Sequence, residues 1–315
     1  MKLNTTRFGE LEVEKKDIIT FSEGLLGFEN LKKFFIRRIL RIWPLYYLMI
    51  LFAFLTPHIL NYLNLSYSNE GYTPNWLISC LFLENYNMMF TGDFPNTSPL
   101  RVMWSLCIEE HFYIVWGLLL YYTPIKKIPI IIIFSIIIAT ISRLIYPVFS
   151  LNDIDLLTHI DYFAFGSIPA YCLIKKKHLI ELINTIPIYQ KLVLAFISLC
   201  YVFISPNISF SFQNIINPII FSILFTLIIF FIIPVKNSLF IKDSNIFSKL
   251  GTYTYGLYLY HTIAINLMVQ LYLKFGLDID SISLSITSII ITIFISLFSY
   301  KLFELKFIKL KKYFY

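Results

Sequence analysis

The chain has 315 residues, of which 57% are hydrophobic and only 14% charged, with a net charge of +7. A soluble domain carries about 25% charged residues, so polar surface is too scarce to cover a water-soluble globule, and the apolar surplus calls for lipid as a solvent. The basic residues sit in short clusters between apolar runs, which argues against a nucleic-acid partner and for loops on the cytoplasmic face of a membrane.

Residues 1–33 are a different material. They are charged and turn-rich, and Phe8-Gly9-Glu10-Leu11-Glu12-Val13 alternates as a soluble β-strand does. Gly24 and Gly27 mark loop. With no apolar core in this stretch, no cleavable signal peptide is expected. The composition changes abruptly at Lys32-Lys33-Phe34.

Apolar runs of span length then follow in series. A helix needs about 20 residues to cross the hydrocarbon core. The runs are 42–60, 104–123, 128–148, 156–174, 186–205, 215–234, 252–273 and 282–300. The stretch 74–90 is also apolar but carries Asn75, Glu84, Asn85 and Asn87. Basic loops (Arg37-Arg38-Arg41, Lys126-Lys127, Lys175 to Lys177, Lys236 to Lys249, and the tail from Lys301) alternate with acidic or charge-poor ones only if 74–90 does not cross. The expectation is an all-α polytopic membrane protein with about eight transmembrane helices and both termini cytoplasmic. The 74–90 segment is expected to be re-entrant or interfacial, and the N-terminal segment a short soluble β/loop piece. Cys80, Cys107, Cys172 and Cys200 form no CxxC pair or metal-type spacing, so they read as small core residues. No phosphate loop, nucleophile elbow or zinc motif is found, and no bound cofactor or metal is expected.

Ionisable residues within spans are expensive in lipid and mark candidate sites. Trp104-Ser105-Leu106-Cys107-Ile108-Glu109-Glu110-His111 opens one apolar helix. Glu109 there reads either as a polar helix start or as a carboxylate facing the bundle interior, orienting a histidine or holding a hydroxyl acceptor. His261 lies deep in the run that begins Tyr253-Thr254-Tyr255, as a structural histidine or a proton-handling one. His159 and Asp161 sit near one end of another span, where Asp161 is a ligand or a partner for a buried cation such as Arg143. Arg37, Arg38 and Arg41 share a helix side. They read as a positive-inside anchor or as a clamp for phosphates, which the planar guanidinium grips bidentately.

Together these blocks resemble the acyltransferase-3 family: Arg37-Arg38-x-x-Arg41-Ile42-x-Pro44-x-Tyr46, Trp104-Ser105-Leu106-x-x-Glu109-x-x-Phe112-Tyr113, Asp161 to Gly166, Tyr255-x-x-Tyr258-Leu259-x-His261, and Tyr300-x-x-x-Glu304. The likeness runs over about residues 34–310. It implies a membrane O-acyltransferase of the bacterial inner membrane that moves an acyl group, acetyl by preference, from acyl-CoA to a hydroxyl of a surface or exported carbohydrate. On that reading Glu109 and His261 are catalytic, Arg37, Arg38 and Arg41 hold CoA phosphates, and Trp104, Ser105, Asp161, Tyr255 and Glu304 support them. The family usually has ten spans and a first-span histidine regarded as the base. The eight runs here equal a member without its first two spans, so activity is expected to be reduced or absent.

The segment from Thr6 to Phe34 resembles instead the start of FliW, a soluble flagellar assembly factor. The domain expectation is therefore a FliW-like cytoplasmic fragment over 1–33 and an acyltransferase-3-like transmembrane domain over 34–315. Two alternatives stand beside the enzyme: a transporter or flippase of lipid-linked glycan, since polar groups inside a bundle also serve translocation, and a flagellar factor by the N-terminus alone.

Overall fold

The computed structural model describes residues 28–64, 70–233, 238–239 and 245–314. The predicted strand at 8–13 and the loop at Gly24 to Gly27 lie outside the described residues. Among those described, every long element is a helix.

Helices occur at all eight predicted apolar runs. They are α1 (Phe28–Tyr62), α4 (Trp104–Tyr122), α5 (Ile128–Ile145), α6 (Leu156–Lys175), α8 (Ile188–Ile204), α9 (Gln213–Ile232), α11 (Thr254–Phe275) and α12 (Ser281–Ser299). Short helices α2 (Trp76–Cys80), α3 (Glu84–Thr91), α7 (Lys177–Thr185), α10 (Ile246–Thr252) and α13 (Leu305–Leu310) join or flank them. Among the described residues, 5 stretches are by length and composition apolar enough to cross a membrane, those containing α1, α5, α8, α9 and α12. The expected count of eight is therefore met by only these five on hydropathy. The other three, α4, α6 and α11, are the ones diluted by Glu109 and Glu110, by His159 and Asp161, and by His261 with its tyrosines.

Along much of α5 and α12 the packing is inverted relative to a soluble protein. Helix α5 buries Ser135, Ala139, Ser142 and Arg143 while exposing Ile130, Ile133, Phe134, Ile137 and Ile141. Helix α12 buries Ser288, Thr292, Ser296 and Ser299 and exposes Ile282, Ile286, Ile289, Ile290, Phe294 and Phe298. Lipid offers no hydrophobic reason to hide isoleucine, so small residues take the interface, where backbones can approach closely. Two of the α12 hydroxyls are satisfied within the helix: Thr292 Oγ1 donates to Ser288 O at 2.6 Å and Ser296 Oγ to Thr292 O at 2.7 Å. That frees a smooth face for α11, where Gly256 sits so close that an added Cβ would meet Ser296 Cβ at 3.3 Å.

The stretch 74–90 is not one helix. α2 stops at Leu81, Phe82 takes a left-handed backbone (φ +59°), and α3 begins at Glu84. The Phe82 ring stacks on Tyr46 of α1 with centroids 3.9 Å apart, which holds the break in place. A second local device precedes it. Gly71 (φ +96°) lets Tyr72 N donate to Phe94 O at 3.1 Å, and Asn96 N returns to Tyr72 O at 2.9 Å. Arg101 fastens the same turn, with Nε on Pro95 O at 3.0 Å and its guanidinium 4.3 Å above the Phe94 ring.

The chain forms two compact units. One takes in residues 112–242, with α5 to α9; the other takes in 32–111 and 243–315, with α1 to α3, the start of α4, and α10 to α13.

Candidate active site

In the unit built from 32–111 and 243–315, polar side chains that lipid would reject converge on Tyr255. Its hydroxyl donates to Ile42 O of α1 at 2.8 Å. It lies within electrostatic reach of Glu109, Glu110, Glu304 and Arg41. Glu110 is 7% exposed and accepts from Trp43 Nε1 at 3.1 Å. Its other oxygen, Oε1, is buried with no hydrogen-bond partner among the described residues. A buried carboxylate oxygen left unsatisfied is a point where a ligand donor fits. Glu109, the residue singled out in the sequence, is half-buried, and the shielded member of the pair is Glu110.

Glu109 and His261 both lie in the neighbourhood of Tyr258. The Tyr258 hydroxyl lies 2.6 Å from Ser105 Oγ and donates to Val102 O at 2.7 Å, fixing α11 against the start of α4. Glu109 is within electrostatic reach of Tyr258, whose ring stands 5.7 Å from that of His261. His261 Nδ1 pairs with Tyr258 O at 2.5 Å, which aims the ring and leaves Nε2 for other contacts. Trp104, half-buried, opens α4 one residue before Ser105.

The three arginines have different partners. Arg37 NH1 donates to Phe314 O at 3.0 Å and so ties the C-terminal tail to α1. Arg38 lies 5.5 Å over the Phe34 ring and within reach of Glu110. Arg41, the exposed one, faces Glu304 and Tyr255. Helical spacing places the three on one side, but the tertiary partners draw them apart. Glu304, 5% exposed, closes a π-helical turn (Tyr300–Glu304) and accepts from Ser299 Oγ at 3.2 Å, which in turn accepts from Tyr260 OH at 2.9 Å. Such a turn inserts an extra residue into a helix and re-aims a side chain, a device frequent at functional sites.

Asp161 belongs to the other unit. Arg143 grips it bidentately, NH1 and NH2 each 2.7 Å from a carboxylate oxygen, with the two side chains 3% and 0% exposed. Each of its oxygens is thus held by the guanidinium in a buried ion pair. His159 nearby pairs through Nδ1 with Asp155 O at 3.1 Å and Thr158 Oγ1 at 3.0 Å.

One residue outside the predicted set stands out. Glu84 is fully buried and accepts from Tyr72 OH and from Ser79 Oγ, each at 2.5 Å. Burial and the bond to Glu84 push the Tyr72 hydroxyl well above its ordinary range, so it stays a donor. Tyr46 OH donates to Ser79 O at 2.7 Å, which adds α1 to the network. A glutamate inside an apolar stretch was the available signal. No cluster of three or more metal-ligating side chains occurs among the described residues.

A family model described as an acyltransferase domain, the acyltransferase-3 model, matches residues 20–301. Peptidoglycan O-acetyltransferase OatA of Listeria monocytogenes is 36% identical over 93 residues, 28% of this chain and 14% of that protein. Flagellar assembly factor FliW of Clostridium tetani is 58% identical over 36 residues, 11% of this chain and 25% of that protein. FliW of Bdellovibrio bacteriovorus is 53% identical over 34 residues, 11% and 19% of the two chains. The chain thus spans only a minor part of the length of each of these curated relatives. No solved structure matches it.

Proposed function

The chain belongs to the acyltransferase-3 family, and from that premise we propose that it transfers an acetyl or similar short acyl group from acyl-CoA to a hydroxyl of a cell-envelope carbohydrate. The observation that carries the reading is the gathering of Glu109, Glu110, Glu304 and Arg41 around Tyr255 inside one helical unit. Charged groups in that setting are costly unless they serve a site. The name of the Listeria relative supports acetyl as the group and peptidoglycan as the kind of acceptor.

In the proposed reaction Glu109 accepts the proton of the sugar hydroxyl as its oxygen attacks the thioester carbonyl carbon. The negative charge that develops on the carbonyl oxygen is met by Nε2–H of His261 in its protonated form, since Tyr258 gives its one proton to Val102 O and Ser105 gives its own to Tyr258. The carbon–sulfur bond then breaks, the ester is left on the sugar, the CoA thiolate takes the Nε2 proton of His261, and the proton accepted by Glu109 passes to His261 to restore the starting state. Arg38 and Arg41 meet the CoA phosphates, with Arg37 holding the tail that borders them. Eight spans in a bacterial inner membrane, with both termini cytoplasmic, put those arginines on the side where acyl-CoA is made.

The test is transfer itself. Inside-out membrane vesicles carrying the full chain receive acetyl-CoA labelled in the acetyl group, together with solubilised peptidoglycan strands. Label that becomes bound to the glycan and is released by mild base, as an O-ester is, supports the proposal. Label that reaches no glycan, in vesicles where the chain is present and folded, counts against it.

A further inference from the structure

Between α6 and α9, within the unit built from residues 112–242, two cavities share the rings of Tyr162 and Phe221 as a common wall. The wider, about 640 Å³, lies at the start of α9 against Gln213, Asn214 and Asn217. The narrower, about 340 Å³, runs past Gly166, Ser222 and Phe225 to Ile229. By helical rise Asn217 and Ile229 stand about 18 Å apart, so the pair of cavities is long enough for one amphipathic molecule.

The wide end is polar without charge. Asn217 Oδ1 accepts from Tyr201 OH at 2.5 Å, Gln213 Nε2 donates to Ser205 O at 3.3 Å, and Asn214 Nδ2 donates to Arg143 O at 3.2 Å. Each amide is anchored by one end, and the opposite end offers a donor or an acceptor to whatever enters. Pro218, lacking an N–H, also deprives the Asn214 carbonyl of its helical donor. Amides of this kind match hydroxyls that both donate and accept, and the Phe210, Phe212 and Tyr162 rings offer the flat faces on which a sugar ring lies. An anionic headgroup would find no counter-charge, because the neighbouring Arg143 is already spent on Asp161.

The narrow end is apolar but for the Tyr162 side chain at its mouth and the hydroxyl residues Ser222 and Thr226. Ser222 Oγ is buried and has no hydrogen-bond partner among the described residues, although it lines the cavity. A buried hydroxyl left unpaired is unfavourable, and an ester or ether oxygen of an occupant would satisfy it. Beyond it Phe225 and Ile229 are exposed, so a chain leaving the cavity runs out along apolar surface.

The geometry points to a binding site for a neutral glycolipid. Its sugar lies among Gln213, Asn214 and Asn217, its linkage oxygen meets Ser222, and its alkyl chain passes Gly166 toward Phe225. The site lies within a single unit and its occupancy can be read without acyl transfer, so it stands or falls apart from the enzymatic proposal.

The experiment is native mass spectrometry of the full detergent-solubilised chain with monoglucosyl diacylglycerol, phosphatidylglycerol of the same acyl chains, and free glucose. Saturable retention of the glucosyl lipid, at least ten-fold tighter than either of the others, is expected. A Cβ at Gly166 meets no atom within 4 Å, so the first side-chain carbon of Gly166→Leu is accommodated and the rest is introduced at the wall of the narrow cavity. The substitution is expected to weaken glucosyl lipid ten-fold or more at unchanged melting temperature. Ser222→Ala, which only removes the hydroxyl, is expected to weaken it a few-fold. Equal retention of the two lipids, glucose bound as tightly as the lipid, or full retention by both variants would overturn the assignment.

Discussion

Removing the cation from the Arg143–Asp161 pair isolates how this bundle pays for charge in its interior. Asp161 is fully buried, takes two 2.7 Å bonds from Arg143, and has one further donor, its neighbour Tyr162 N–H at 3.0 Å. Arg143→Met keeps the main-chain carbonyl that receives Asn214 Nδ2, so only the side-chain interaction is lost. The carboxylate is then buried with a single hydrogen bond, and breaking a buried pair in this way costs about 3–5 kcal/mol. The double variant Arg143→Met/Asp161→Leu removes both charges and is expected to recover most of that loss, since a well-packed apolar replacement is often neutral. The assay is unfolding of the purified protein in detergent, followed by tryptophan fluorescence against denaturant. A single variant as stable as the parent, or a double variant no better than the single, would refute the reasoning.

Three further outcomes follow from the geometry. Gly71→Ala places a Cβ 2.1 Å from Phe94 O at a positive φ, so it should open the Gly71–Phe94 turn and raise proteolysis between residues 70 and 100. Glu84→Ala strands the Tyr72 and Ser79 hydroxyls and should destabilise by about 2–4 kcal/mol, at least twice the effect of Tyr72→Phe, as measured by denaturant midpoints. Tyr258→Phe removes the bridge to Ser105 and Val102 and should lower the acyl-transfer rate about ten-fold while the melting temperature moves by only a few degrees.

The helices were legible because span length and apolar composition report directly on lipid. The positions of all eight runs coincide with helices. The interruption at 74–90 was legible as a misfit of Glu84 and Asn85 with lipid, but its form was not. A left-handed Phe82 held by stacking on Tyr46 depends on a residue 36 positions away and has no local signature. The same limit governs the site. Spacing marks Glu109 and Glu110 equally and the family resemblance picks Glu109, but only the packing of Trp43 against Glu110 decides which is shielded. The arginines share a helix side by spacing, yet the C-terminal tail, Glu110 and Glu304 claim one each. Asp161 is the converse case. A buried carboxylate one span away from a buried arginine was readable as a pair, and the structure makes it one.

The most direct measurement is the single-turnover rate of acetyl transfer from acetyl-CoA to soluble glycan strands by the folded chain and by Glu109→Gln. That substitution keeps shape and hydrogen bonding but removes the proton acceptor. A rate that falls by about 10²- to 10⁴-fold with acetyl-CoA binding preserved is the predicted result. A Glu109→Gln chain that transfers acetyl as fast as the parent would contradict the assignment of Glu109 as the group that activates the hydroxyl.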